Sequence, residues 1–132
     1  MKYSIVIIVL ALLFAFVNAR SHMEEKNPDL KKLEKYDTGD GDINGHLGDL
    51  QGVCIDSLLA DAPPCSLQEK CDQIIDVAYF LGGKKKKDLI KLARSIVQSE
   101  KNTPFDGQHS VICKKLPRHC ELKGLHFKQD NN

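Results

Sequence analysis

A chain of 132 residues with 19 Lys and Arg against 18 Asp and Glu has a net charge of +1, and that length suits one folded domain rather than two. Near-neutrality excludes the phosphate grip on which nucleic-acid binding depends. The balance is uneven, however: residues 20–63 hold ten acidic and five basic side chains, and residues 64–132 hold eight acidic and thirteen basic. Two solvated faces are the plainest account of this. Attraction between the two parts within one fold, or an acidic propeptide masking a basic peptide, are the alternatives.

Taken from the start, Lys2 supplies one positive charge, residues 5–17 are apolar, and Val17-Asn18-Ala19 places a small residue at a cleavage position. Residues 1–19 therefore read as a secretory signal peptide cut after Ala19, because the apolar run is shorter than the ~20 residues that span a bilayer as a retained anchor. The expected destination is extracellular, and the closing residues Lys128-Gln129-Asp130-Asn131-Asn132 contain no retention tetrapeptide.

Residues 20–45 are expected to form an acidic, flexible leader with one short helix and a Gly/Asp-rich loop. Asn27 is placed to cap that helix, with Pro28 at its first position and Leu30, Leu33 and Tyr36 at helical spacing. Residues 46–122 then read as a cysteine-containing helical domain. Leu47, Leu50, Cys54 and Leu58 predict a helix over 46–60, ended by Pro63-Pro64. Ser66-Leu67-Gln68-Glu69 has the form of a capping box that opens the next helix. Gly82-Gly83 closes it, and Leu89, Leu92, Ala93, Ile96 and Val97 pattern a further helix over 86–100. Residues 111–116 fit either a helical turn or a strand, and residues 123–132 a loose tail. The fold class is mainly α: a small disulfide-linked bundle of three or four short helices.

Cys54, Cys65, Cys71, Cys113 and Cys120 all follow the signal segment, as disulfide candidates in an oxidising compartment do. Bridges from the first three to the last two would pin the C-terminal segment to the helices, with Cys71 the first choice of partner. The odd count leaves one thiol over, free or available for a disulfide-linked dimer. His109, Cys113, His119 and Cys120 also spell a zinc set, which oxidation of the cysteines would forestall. His119 adjoins Cys120 in sequence, an arrangement that separates the side chains rather than pairing base with nucleophile.

Three further segments suggest chemistry. Asp40, Asp42, Asn44, Gly45, His46 and Leu47 resemble the EF-hand calcium loop; the resemblance implies calcium ligands at Asp40, Asp42, Asn44 and, through its carbonyl, His46. Gln51 stands where that family has a bidentate glutamate, so the site would be weak, and a Gly/Asp-rich turn is the competing reading. Lys84, Lys85, Lys86 and Lys87 after Gly83 form a polybasic run suited to precursor processing, with a solvated connection as its alternative. Residues 84–99 are amphipathic in the manner of membrane-surface helices, but core packing explains the same stripe, so a membrane surface is not the expected partner. No catalytic constellation is evident. Together these features predict a secreted, non-enzymatic effector or binding protein without a cofactor, toxin-like, a haemolymph or seminal-fluid factor, or hormone-like, acting on an extracellular receptor or channel. A weak calcium-binding protein and a processed precursor are the alternatives.

Overall fold

The computed structural model describes residues 27–103 and 108–129; the predicted signal peptide and the residues up to Lys26 lie outside them. Four helices dominate: α1 Pro28–Glu34, α2 Gly41–Ser57, α3 Ser66–Leu81 and α4 Gly83–Val97. A 3₁₀ turn follows at Cys120–Leu122, and two short parallel strands, β1 Glu100–Lys101 and β2 Lys128–Gln129, pair Glu100 with Lys128 and Lys101 with Gln129. None of the described helices is long and apolar enough to cross a membrane.

The start of α1 follows the sequence. The Asn27 side chain accepts from the amides of Asp29 (2.9 Å) and Leu30 (3.3 Å), satisfying donors that a first helical turn otherwise leaves unpaired. The same side chain donates to Ser99 Oγ at 2.9 Å, and Ser95 donates to Asp29 at 2.6 Å. These bonds tie α1 to the end of α4. Leu30 and Leu33 are buried in the common core, so the segment expected to be a flexible leader is a structural layer from Asn27 onward. A propeptide cut before Cys54 would strip those leucines, together with Leu47 and Leu50, from the core.

Helix α2 begins at Gly41 rather than near residue 46. Asp40 is the reason: its carboxylate accepts from the amides of Asp42 and Ile43 at 2.9 and 3.3 Å, converting the Gly/Asp-rich stretch from loop to helix start. Glycine is a weak helix former, yet Gly41, Gly45, Gly48 and Gly52 all lie in α2, and a Cβ at any of them would meet nothing within 4 Å. Burial of Leu47, Leu50 and Cys54 overrides that local preference.

The capping box expected at Ser66 does not form. Helix α3 starts there without a side-chain cap, because the Ser66 hydroxyl is bonded to Ser57 Oγ at 2.6 Å. A tertiary contact with the end of α2 has displaced a local one. Gly82 and Gly83, at φ 69° and 58°, then reverse the chain in a conformation that side chains with a Cβ resist. Helix α4 consequently opens at Gly83, and the lysine run is helical instead of forming a connection. Cations oppose the dipole at a helix N-terminus, but Lys85 donates to the Thr38 carbonyl and the Lys86 ammonium lies 4.1 Å from the centre of the Tyr79 ring.

Helix α4 packs chiefly on α3, α3 also meets α2, and α1 bridges α2 and α4. The C-terminal segment completes the core: Leu122 and Phe127 are buried, Leu125 is partly so, and the Lys128 amide donates to the Ser99 carbonyl at 3.0 Å. Residues 123–129 are thus docked, not a loose tail, and the folded unit extends beyond the 46–122 boundaries at both ends. Among the described residues the ion pairs stay within their own parts of the chain: Lys32 with Asp29, Lys115 with Glu69, and Arg118 and His119 with Asp76. The two charge-biased parts meet mainly through apolar packing, and opposite charges act across them only at Asp37 with Lys85 and Asp61 with Lys101 among the groups with shifted pKa values.

Candidate functional site

Residues 108–119 have no regular secondary structure. They form a strap across α3, and it is fixed by side chains at every few positions. Ser110 exchanges two hydrogen bonds with the Gln129 amide, at 2.8 and 2.9 Å, and donates its hydroxyl to the Asn102 carbonyl at 2.9 Å. Cys113 is disulfide-bonded to Cys65, just before α3. Gln68 donates to the Lys115 carbonyl at 3.1 Å. Asp72, only 2 % exposed, accepts the amides of Arg118 and His119, one on each carboxylate oxygen, both at 3.0 Å.

Beyond that clamp, Arg118 grips Asp76 with two nitrogens at 3.1 and 2.8 Å, and His119 Nε2 lies 2.6 Å from the same carboxylate. These bonds, led by the Arg118 guanidinium, hold the Asp76 carboxyl below its ordinary range. The His119 ring stacks on Tyr79 with centroids 5.4 Å apart. The Tyr79 hydroxyl donates to Glu121, which raises the phenol and lowers the carboxyl.

So anchored, the strap presents Val111 and Leu116, 65 % and 80 % exposed, with Ile112 partly exposed between them. Beside the disulfide lies an open depression of ≈ 700 Å³ lined by Pro63, Pro64, Val111, Ile112, Lys70 and Lys114, among others. An apolar centre with a basic rim, on a backbone fixed before any encounter, has the make-up of a surface that receives a protein partner. A second groove of similar size, ≈ 690 Å³, runs between α1 and α4. Its lysines are interleaved with Asp29, Asp37 and Asp88, and Tyr36 donates to Asp88 at 3.1 Å, so it carries no single charge preference.

Other residues singled out from the sequence are placed differently. Asp40 is a helix cap. Asp42, Asn44 and His46 lie inside α2, where positions two apart project ~200° from each other around the helix axis. They do not form the ring of converging oxygens that the EF-hand resemblance requires, and Gln51 lies farther along the same helix. Asn44 instead accepts from the Thr38 amide and hydroxyl at 2.8 and 2.6 Å and donates to Asp37 at 3.1 Å. Cys113, bonded to Cys65, has no thiolate to offer a zinc set, and no group of three or more metal-ligating side chains occurs among the described residues. Lys84, Lys85, Lys86 and Lys87 lie in the opening turns of α4, whereas proteolytic nicking favours exposed loop tips. Cys71, the expected partner of the C-terminal cysteines, is buried beside Cys54, and Cys120 is exposed.

The chain matches no family model, no curated protein and no solved structure. The Asp72 clamp is not legible in the sequence, because an isolated aspartate on a helix face carries no local signal for a partner 46 residues away. The exposed apolar residues of the strap carried one, since Val111, Ile112 and Leu116 lie on a stretch without a consistent helical or strand period.

Proposed function

We propose that this chain is exported, cut after Ala19, and acts as a non-enzymatic effector or binding protein, toxin-like or hormone-like, that engages an extracellular receptor or channel through the strap face. The reading rests above all on one observation: Val111 and Leu116 remain largely exposed on a segment that a disulfide and the buried Asp72 hold rigid. Leaving apolar side chains in water forgoes the stabilisation of burying them, ~1.5–3 kcal/mol each. A pre-organised strap offers that burial to a partner at little further entropic cost. Lys70 and Lys114 favour a partner whose rim is acidic, Lys115 being already paired with Glu69. The Cys65–Cys113 bond suits an oxidising compartment, and a compact helical bundle closed by one or more disulfides suits a small exported domain.

Two measurements test this. Intact mass of the full chain after expression in a secretory cell should give a form in the medium that begins at Arg20; retention in the cell with an intact N-terminus refutes export. Labelled wild-type protein should bind cells of the source organism saturably. Leu116→Asp and Val111→Asp should each weaken that binding at least ~10-fold, as expected for loss of a buried apolar anchor, while their melting temperatures stay close to wild type. Undiminished binding by both variants refutes the strap as the contact face.

A further inference from the structure

Cys54, in the last turn of α2, and Cys71, in the second turn of α3, are both fully buried in the common core and carry thiols in this structure. They are neighbours and not merely members of the same core, because Cys54 is the adjoining group that acts on the Cys71 thiol. The two helices pack on each other and are connected through Cys65. Two adjoining buried cysteines on packed helices meet the first requirement of a disulfide, whose sulfurs stand ~2.05 Å apart.

We infer that Cys54 and Cys71 form a second, buried disulfide in the mature protein, joining α2 to α3 and leaving the exposed Cys120 as the odd cysteine. The inference rests on the export reading, because an oxidising compartment must supply the oxidant. Its chemistry is thiol–disulfide exchange with the disulfide of an oxidoreductase: one cysteine thiolate attacks that disulfide to give a mixed disulfide, and the second displaces the carrier. Two thiols lose two protons and two electrons, one S–S bond forms in the protein, and the carrier's S–S bond is reduced to two thiols.

Burial pushes the Cys71 thiol well above its ordinary pKa, with further contributions from the neighbouring Cys54 and from Asp72. Attack requires the thiolate. Exchange is therefore suppressed once the core has closed, and the bond forms while α2 and α3 are still separating and re-docking. The same enclosure protects it afterwards. A mild reductant should open Cys65–Cys113, neither of whose cysteines is buried, before it reaches Cys54–Cys71.

Full-length protein secreted into the medium should be alkylated under denaturing conditions without reductant and peptide-mapped. Trypsin leaves Cys54 and Cys65 together on residues 36–70, so a second cut at Leu58 or Leu59 is needed to assign each bridge. The expected map shows Cys54 joined to Cys71 and Cys65 to Cys113. In a Cys120→Ser background, denatured protein should then present no free thiol, and adding Cys54→Ser should release a single one. Alkylated Cys54 and Cys71 beside an intact Cys65–Cys113 bridge overturn the inference alone, as does any bond from either residue to Cys120. If both pairs are reduced, the export reading falls with it.

Discussion

Asp72→Ala removes the clamp without touching the exposed face. The wild-type carboxylate accepts two backbone amides, from Arg118 and His119, at 3.0 Å each, and a hydrogen bond to a charged group contributes ~1.5–3 kcal/mol. Two such bonds give a gross loss of ~3–6 kcal/mol. Against this, the variant no longer takes a carboxylate out of water, and alanine improves the propensity of α3 by up to ~0.7 kcal/mol. A net destabilisation of ~2–4 kcal/mol follows, a fall in Tm on the order of 10–25 °C for a domain of this size. Urea denaturation followed by far-ultraviolet circular dichroism measures the first quantity. Hydrogen exchange locates it, and the amides of residues 118 and 119 should lose protection by a larger factor than those of α1. Asp72→Asn should recover less than half of the loss, since its NH₂ group would face an amide N–H. A destabilisation below ~1 kcal/mol in Asp72→Ala, or unchanged exchange at residues 118 and 119, would refute the assignment of Asp72 as the strap's anchor.

Leu33→Ala should cost ~2–5 kcal/mol, because Leu33 is fully buried; a loss under ~0.5 kcal/mol by urea melts would return α1 to the status of a leader. Gly48→Ala should instead stabilise the protein by ~0.5–1 kcal/mol, since a helical Cβ there meets open space, and a lower Tm would show that this face of α2 is not free. The Asp76 carboxyl titrates below its unfolded value of 3.8, so its contribution is present above that pH and disappears as pH falls through the lower folded value. Because both partners are about half exposed, Asp76→Asn should flatten the acid limb of the stability profile by less than ~1 kcal/mol. Lys101 is the opposite case: 2 % exposed, donating to the Ala62 carbonyl at 2.9 Å and lying over Phe127, it has a pKa lowered from 10.5 by burial, against a smaller opposing effect of Asp61. The cost of its charge is present in full below the folded pKa and is relieved as pH rises from there towards 10.5. Wild type should gain stability over that alkaline window relative to Lys101→Met, and parallel profiles would contradict this.

Sequence by itself determined the helical character, the Asn27-Pro28 start, the glycine reversal at Gly82-Gly83 and the apolar faces of α2, α3 and α4, because each depends on neighbours within a turn or two. It also marked Cys65 and Cys113 as members of the groups that would be joined, without resolving the pair. Tertiary structure decided the rest. The Ser66 hydroxyl could not be seen to abandon its own helix for Ser57, nor Lys85 to find the Thr38 carbonyl. Phe127 and Lys128, read locally, belong to a polar tail, but the common core gives the ring a place to be buried and the Ser99 carbonyl gives the amide a partner. Asp40 shows how narrow the margin is. An aspartate among glycines serves equally as a turn residue, a calcium ligand or a helix cap, and burial of Leu47 and Leu50, about two and three turns later, settled it as a cap. Local chemistry sets which conformations are cheap, and long-range burial chooses among them.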